Sequence, residues 1–298
     1  MADSNDRLRV ALVGANASGS GWGPVAHMPA IAGVDRLELV ALCTSSPTSA
    51  AAAERYGIAR AYHDVGELAA QPDIDLVTVA VKVPHHHSIV MPLLTAGQNV
   101  YCEWPLGATV EEAEEMASAA RASGVVAVVG LQGRHDPALT YVKGLVDGGE
   151  LGDLLSINVT MLGGGALSHS SSEAWMADDS QGANTMTIVA GHTLDYVEYC
   201  FGELAEIAAT VGVQVPQWRL VDTGEVIEAD APDSILINAT LSGGGLVSFQ
   251  AASVPYNGSG WRMEAYGTEG TDGTTAEPDF DRALEVHRLL ELVRKSSD

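Results

Sequence analysis

His192 and Asp195 stand three residues apart in the segment G-H-T-L-D, a spacing that puts both on one face of a helix. A carboxylate beside an imidazole orients the ring and raises its basicity, so the pair is a candidate for proton transfer. The same pair also occurs on ordinary helix surfaces. Near the start of the chain, V-G-A-N-A-S-G-S-G-W-G runs from Val13 to Gly23 behind an apolar run. Glycines there let a backbone approach a pyrophosphate, and the N–H groups of a following helix face it. Asn16 fills the second glycine position of G-x-G-x-x-G, so the fingerprint is loose. Gly14, Asn16, Ser18, Gly21 and Trp22 are the candidate cofactor contacts; a tight structural turn is the other reading.

Three strand ends carry further candidates. The second predicted strand ends in Cys43-Thr44-Ser45-Ser46, where NAD sites place an acid for the ribose hydroxyls. Thr44, Ser45 and Ser46 instead offer hydroxyls to a 2′-phosphate, which inclines the reading to NADP over NAD. The next end is Lys82-Val83-Pro84-His85-His86-His87, and Lys82 is the only Lys before residue 143. Consecutive side chains cannot converge on one ion, so no metal site is expected. The third end is Tyr101-Cys102-Glu103-Trp104-Pro105.

The elements that position these residues follow from apolar patterning. Near-continuous apolar strands are expected at 8–13, 37–43, 75–81, 99–103 and 125–131, separated by helices near 22–33, 47–56, 64–70, 88–96 and 109–123. Thr109 and Glu112 form a capping box at the last of these. Such strands are buried on both faces, which implies a doubly wound parallel α/β sheet of Rossmann type over 1–133. From residue 154 the runs LLSINVTML, AEIAATVGV, SILINATL, GLVSFQAA and WRMEAYG alternate apolar with polar residues. Alternation implies a half-buried antiparallel sheet, with one helix over 184–201 and another over 279–295. The GGG runs at 163–165 and 243–245 read as loops. Residues 134–298 thus form an α+β domain with an open, mostly antiparallel sheet, and its last helix is free to pack back on the first domain.

The chain has 298 residues, 46% of them hydrophobic, and a net charge of -24. The apolar fraction excludes a disordered chain, and the charge argues against nucleic acid and anionic lipid as partners. The N-terminus lacks the apolar core of a secretory signal, and no apolar run is long enough for a membrane span. Three scattered cysteines fit reduced thiols and a cytoplasmic protein.

The motif order resembles the glucose–fructose oxidoreductase/inositol dehydrogenase/MocA family over nearly the whole chain. The residues that carry this are the Gly-rich loop, V-T-V-A leading to His, Y-C-E-W-P, L-Q-G-R-H-D-P and G-H-T-L-D. Gly21-Trp22, V-M-P-L-L at 90–94, Glu103-Trp104 and L-Q-G-R at 131–134 resemble the branch of the yeast galactose-pathway repressor. The resemblance implies a nicotinamide cofactor, NADP or NAD, and hydride transfer from a sugar, polyol or related cyclic alcohol. It implies a homodimer or homotetramer built on the second-domain sheet. The family's E-K-P lysine is replaced by Trp104, while Glu103 and Pro105 remain. His192 and Asp195 match the family's second-domain pair, and Gln132 and Arg134 fall in the segment that borders its crevice.

The expected roles follow. His192, Asp195 and Lys82 are catalytic, with Lys82 standing in for the missing lysine; a salt bridge or cofactor contact is the alternative. Lys82, His86, Glu103, Trp104 and Gln132 join the cofactor contacts. Trp104 and Trp175 stack on a sugar face beside Arg134 and His192, or else pack in the core. The competing function is a cofactor-binding regulator without turnover. Between WRMEAYGTEG and DGTTAEPDFDRAL the family carries a longer stretch, so either a deletion or a missing segment lies near 268–276.

Overall fold

The computed structural model describes residues 7–44, 48–254 and 256–269. Ser45 and Ser46, the expected helix over 279–295 and most of the stretch near 268–276 lie outside the described residues. The chain forms two compact units. One comprises the residues up to Gly130 together with Ser180–Gly182; the other comprises the rest from Leu131.

The first unit contains β1 (Leu8–Val13), α1 (Met28–Ala32), β2 (Leu37–Cys43), α2 (Thr48–Tyr56), β3 (Arg60–Tyr62), α3 (Val65–Ala69), β4 (Leu76–Val79), α4 (His86–Thr95), β5 (Val100–Cys102), α5 (Val110–Ser123) and β6 (Ala127–Val129). Its strands form one parallel sheet in the order β3-β2-β1-β4-β5-β6. Strand order reverses between β1 and β4, and ligands of such sheets bind at that switch point, beyond the carboxyl ends of the strands. The apolar runs produce this because Val10, Ala11, Leu12 and Val13 are all buried, one set on each face. Thr109 Oγ1 accepts from the Glu112 N–H at 3.2 Å and opens α5; Gly124 closes it at φ +67°. The helix expected over 22–33 begins instead as a π-helical turn, Gly23–His27, that runs into α1.

The second unit contains α6 (Pro137–Asp147), β7 (Leu154–Gly164), α7 (Gly191–Phe201), β8 (Leu204–Gly212), β9 (Gln217–Arg219), β10 (Val226–Glu228), β11 (Ser234–Leu241), β12 (Leu246–Val254) and β13 (Gly260–Gly267). The large sheet runs β13-β7-β12-β11-β8, and β9 pairs with β10 separately. Along β11, Ile235, Ile237, Ala239 and Leu241 are buried. They pack with Leu139 of α6 and Val197 and Phe201 of α7, which cover one face.

The large sheet is mostly antiparallel, as expected, with one parallel pair, β12 beside β7. Other expectations change. Gly163 and Gly164 are strand rather than loop, since they continue β7 opposite Ser253 and Val254. The helix over 184–201 opens with a π-helical turn, Thr185–Ala190, capped by the Asn184 side chain. Helix α6, the short strand β3 and the β9–β10 hairpin were not expected.

Candidate functional site

In the first unit, Gly14 leaves β1 at φ +111°, and a Cβ there would lie 2.2 Å from the Ala80 carbonyl oxygen. Only glycine permits that turn and that approach of the β1 and β4 ends. A Cβ on Gly23 would lie 2.9 Å from the Gly14 oxygen, so the helical stretch starts tight against the turn. Asn16 shapes the loop between them. Its Oδ1 accepts from the N–H of Ser18 at 3.0 Å and of Gly19 at 3.2 Å, and its Nδ2 donates to the Ser20 carbonyl at 2.9 Å. The residue in the second glycine position thus supplies the loop's own polar partner. Ser18, Gly21 and Trp22 are exposed. Two residues that sequence reading missed hold this loop from α2: Arg55 Nη1 donates to the Ala17 carbonyl at 2.8 Å, and the Tyr56 hydroxyl to that of Asn16 at 2.9 Å. Arg55 also places a cation on the loop. The only hint was that it is the sole basic residue of α2.

Thr44 closes β2 with its side chain almost buried. Lys82, beyond the end of β4, is exposed and leads into the short turn Val83–His85. His86 does not face a ligand, contrary to expectation. Its side chain is fully buried, with Nδ1 2.9 Å from the Pro105 oxygen and Nε2 3.1 Å from that of Val81. Burial pushes its pKa down. Its work is to tie the end of β4 to the segment after β5. Trp104 is half-buried in that segment, and the Trp104–Pro105 peptide is cis.

Glu103 gathers a polar cluster. Its Oε1 lies 2.6 Å from His27 Nε2, and it accepts from the Tyr101 hydroxyl. Burial, then the Glu103 charge, pushes the Tyr101 phenol up to about 12, so the phenol stays a donor. A Cβ at Gly130 would lie 2.9 Å from Glu103 Oε2, so Glu103 is packed closely from the β6 side.

In the second unit, the segment Gln132–His135 docks on α7. A Cβ on Gly133 would lie 2.0 Å from Tyr196 Cε1, so the ring needs a glycine beneath it. Both Asp195 oxygens accept from the Arg134 guanidinium: Nε lies 3.0 Å from Oδ1 and 3.1 Å from Oδ2, and Nη2 also donates to Oδ1. Arg134, expected beside a substrate, holds Asp195 with its fork. The Arg134 charge also sits 5.6 Å from the centre of the Tyr199 ring. His192 and Tyr196 lie with ring centres 6.0 Å apart, one turn along the same helix. Gln132 is exposed and Trp175 is half-buried. Among the described residues no group of three His, Cys, Asp or Glu side chains converges to hold a metal, and no helix is long and apolar enough to cross a membrane.

Residues 8–131 match the model of an oxidoreductase family with an NAD-binding Rossmann fold, GFO/IDH/MocA, and residues 137–272 match that of the Gal80p C-terminal domain. The chain belongs to this oxidoreductase family, in its Gal80-like branch. It is 32% identical over 245 residues to dehydrogenase aclE of Aspergillus oryzae, covering 79% of this chain and 67% of that one. It is 30% identical over 255 residues to the galactose/lactose metabolism regulatory protein GAL80 of Saccharomyces cerevisiae; the match takes in 80% of this chain and 58% of GAL80, less than two thirds of its length. Among solved structures, a super-repressor mutant of Gal80p from Saccharomyces cerevisiae superposes with TM-score 0.81 at 27% identity, over 88% of this chain and 73% of that one. Levoglucosan dehydrogenase in complex with NADH and L-sorbose gives 0.80 at 25% identity, over 88% and 71%. Family membership thus joins dehydrogenases and regulators on one fold.

Proposed function

We propose that the protein is an NADP- or NAD-dependent oxidoreductase acting on a hydroxyl of a sugar, polyol or related cyclic alcohol. The observation that carries this is the Gly14 turn: only a residue without a Cβ fits against the Ala80 carbonyl at the head of the β1–β4 switch point, beside a loop that Asn16 shapes. That cradle fits a pyrophosphate, with Gly14, Ser18, Gly21 and Trp22 around it and Thr44 toward the ribose. When bound, a nicotinamide supplies the acceptor or donor of a hydride. Relatives named as a levoglucosan dehydrogenase and solved with NADH and a sugar support this reading.

Alcohol oxidation needs a base for the hydroxyl proton and a cation or donor for the developing alkoxide. We assign the first role to His192 and the second to Lys82, since Trp104 stands where the family carries lysine. The Arg134 fork fixes the Asp195 carboxylate on the helix face that carries His192, where it would orient the ring. Trp104 and Trp175 offer faces for a sugar ring, and we place the protein as a cytoplasmic homo-oligomer.

A second reading has its own support. Trp104 removes the lysine of the motif, and the relative GAL80 is a regulatory protein. A coenzyme-binding regulator would keep the cradle and lose turnover. Calorimetry with NADP and NAD, followed by a panel of sugars, polyols and glycosides monitored by the absorbance of reduced nicotinamide, separates the two. Turnover that falls at least tenfold in Lys82→Met and in His192→Ala supports the enzyme. Uptake of coenzyme with no turnover on any compound supports the regulator, and no uptake of either nucleotide sinks both.

A further inference from the structure

The second unit contains a cavity of about 190 Å³ beside the β9–β10 hairpin. That is room for roughly six waters at ~30 Å³ each, and less than the ~300 Å³ at which pockets for drug-sized ligands begin. Its walls are mainly apolar, with Met176, Ile188, Val189 and Val215 around the Trp218 indole. Trp218 is braced from one side: the His169 ring stacks on it with centres 3.5 Å apart and planes 10° apart, and His169 Nε2 lies 3.2 Å from the Ala166 oxygen.

The polar groups at the rim differ in what they leave over. The buried Asp233 carboxylate is committed to the backbone N–H groups of Gln214 and Val215, at 2.8 and 2.7 Å. Thr185 and Ser253 also line the cavity, and their hydroxyl oxygens lie 3.0 Å apart. One bond between two hydroxyls uses one of their two hydrogens, which leaves the second to donate. An apolar chamber with a hydroxyl donor to spare and a carboxylate at its edge suits a compact neutral molecule and disfavours an anion.

We propose that this cavity is a ligand site for a small, uncharged, single-ring molecule carrying one hydrogen-bond acceptor. Every residue lining it belongs to the second unit, and none of them is a candidate coenzyme contact. Thr185, Ile188 and Val189 lie in the π-helical turn that runs directly into α7, so an occupant rests on the helix that carries His192.

The test uses the full chain without nucleotide. Proton–nitrogen correlation spectra follow the Trp218 indole, identified by its loss in Trp218→Phe. Three probes are titrated: cyclohexanone, methylenecyclohexane, which has the same ring without the acceptor, and cyclohexanecarboxylate. The expected result is a saturable shift with cyclohexanone, binding of methylenecyclohexane weaker by about tenfold, the size of one hydrogen bond, and no shift with the carboxylate. In Thr185→Val/Ser253→Ala the tenfold preference disappears while the ring still binds; Thr185→Ala/Ser253→Ala, which also removes both hydroxyls, carries the comparison if that variant does not fold. No saturable shift with cyclohexanone, equal affinity for the two neutral rings, or a preference unchanged in the hydroxyl variants overturns the proposal.

Discussion

His27 Nε2 lies 2.6 Å from Glu103 Oε1, and each side chain is only 13% exposed. Their partners in sequence are far apart, one on the first helical stretch and the other past β5, so the contact locks the loop region to the carboxyl end of the sheet. Glu103 also accepts from Tyr101. Removing it strands two partly buried donors. Glu103→Ala is therefore expected to lower stability by about 1–3 kcal/mol, while Glu103→Gln, which retains an acceptor, recovers most of the loss. Urea unfolding of both variants measures this; a Glu103→Ala protein as stable as the parent shows that the cluster does not hold the sheet end.

The two tight glycines predict opposite functional outcomes. Gly14→Ala combines left-handed strain with a collision at the Ala80 oxygen, a cost of about 2–6 kcal/mol. Coenzyme uptake should be lost with it. Gly133→Ala meets the edge of the Tyr196 ring, which costs about 1–3 kcal/mol and displaces a side chain next to His192. That variant should bind coenzyme normally and lose turnover. Calorimetry with both nucleotides distinguishes the pair, and equal behaviour of the two variants contradicts the division of roles.

The thiols give a pH prediction. Burial pushes Cys43 and Cys200 up to about 11 and Cys102 up to about 12, against an ordinary value of 9.0. Tyr101 rises from 10.0 to about 12. In each case the folded state holds its proton more tightly than the unfolded chain. Stability is then fully present below pH 9 and declines as pH rises through roughly 9 to 12. Thermal melts across that window should show the decline, shallower in Tyr101→Phe above pH 10. At pH 8 an aromatic disulfide reagent should label no cysteine until the protein is unfolded, and then all three.

The sheet of the first unit was legible because its strands are buried on both faces and so need nearly unbroken apolar runs, as in Val10 to Val13. Helix α6 was missed although Asp136-Pro137 is a ready start signal: Asp136 Oδ1 accepts from the Ala138 N–H at 2.8 Å. The strands β3, β9 and β10 are three residues each, too short for alternation to register. His86 shows a different limit. Three consecutive histidines look alike in sequence, and only the packing of β4 against β5 decides which one is buried. Asn16 broke the glycine fingerprint, yet its side chain rebuilds the turn that the fingerprint describes. The Arg134–Asp195 contact spans 61 residues and carries no local signal.

That contact yields the last prediction. Arg134 is 46% exposed on its side chain, so the pair adds at most about 1 kcal/mol to stability. Its value lies in direction: a planar fork grips both oxygens of Asp195 and fixes the carboxylate on the helix face that carries His192. Arg134→Ala should therefore fold and bind coenzyme like the parent while kcat falls at least about tenfold, the equivalent of 1.4 kcal/mol. Arg134→Lys should not restore it, because an ammonium is a point charge and cannot grip two oxygens in a plane. Steady-state kinetics on the substrate found in the panel, alongside urea unfolding, reads both quantities. Full turnover in Arg134→Ala removes Asp195 orientation from the mechanism; full turnover in Arg134→Lys alone shows that charge, not geometry, is what His192 requires.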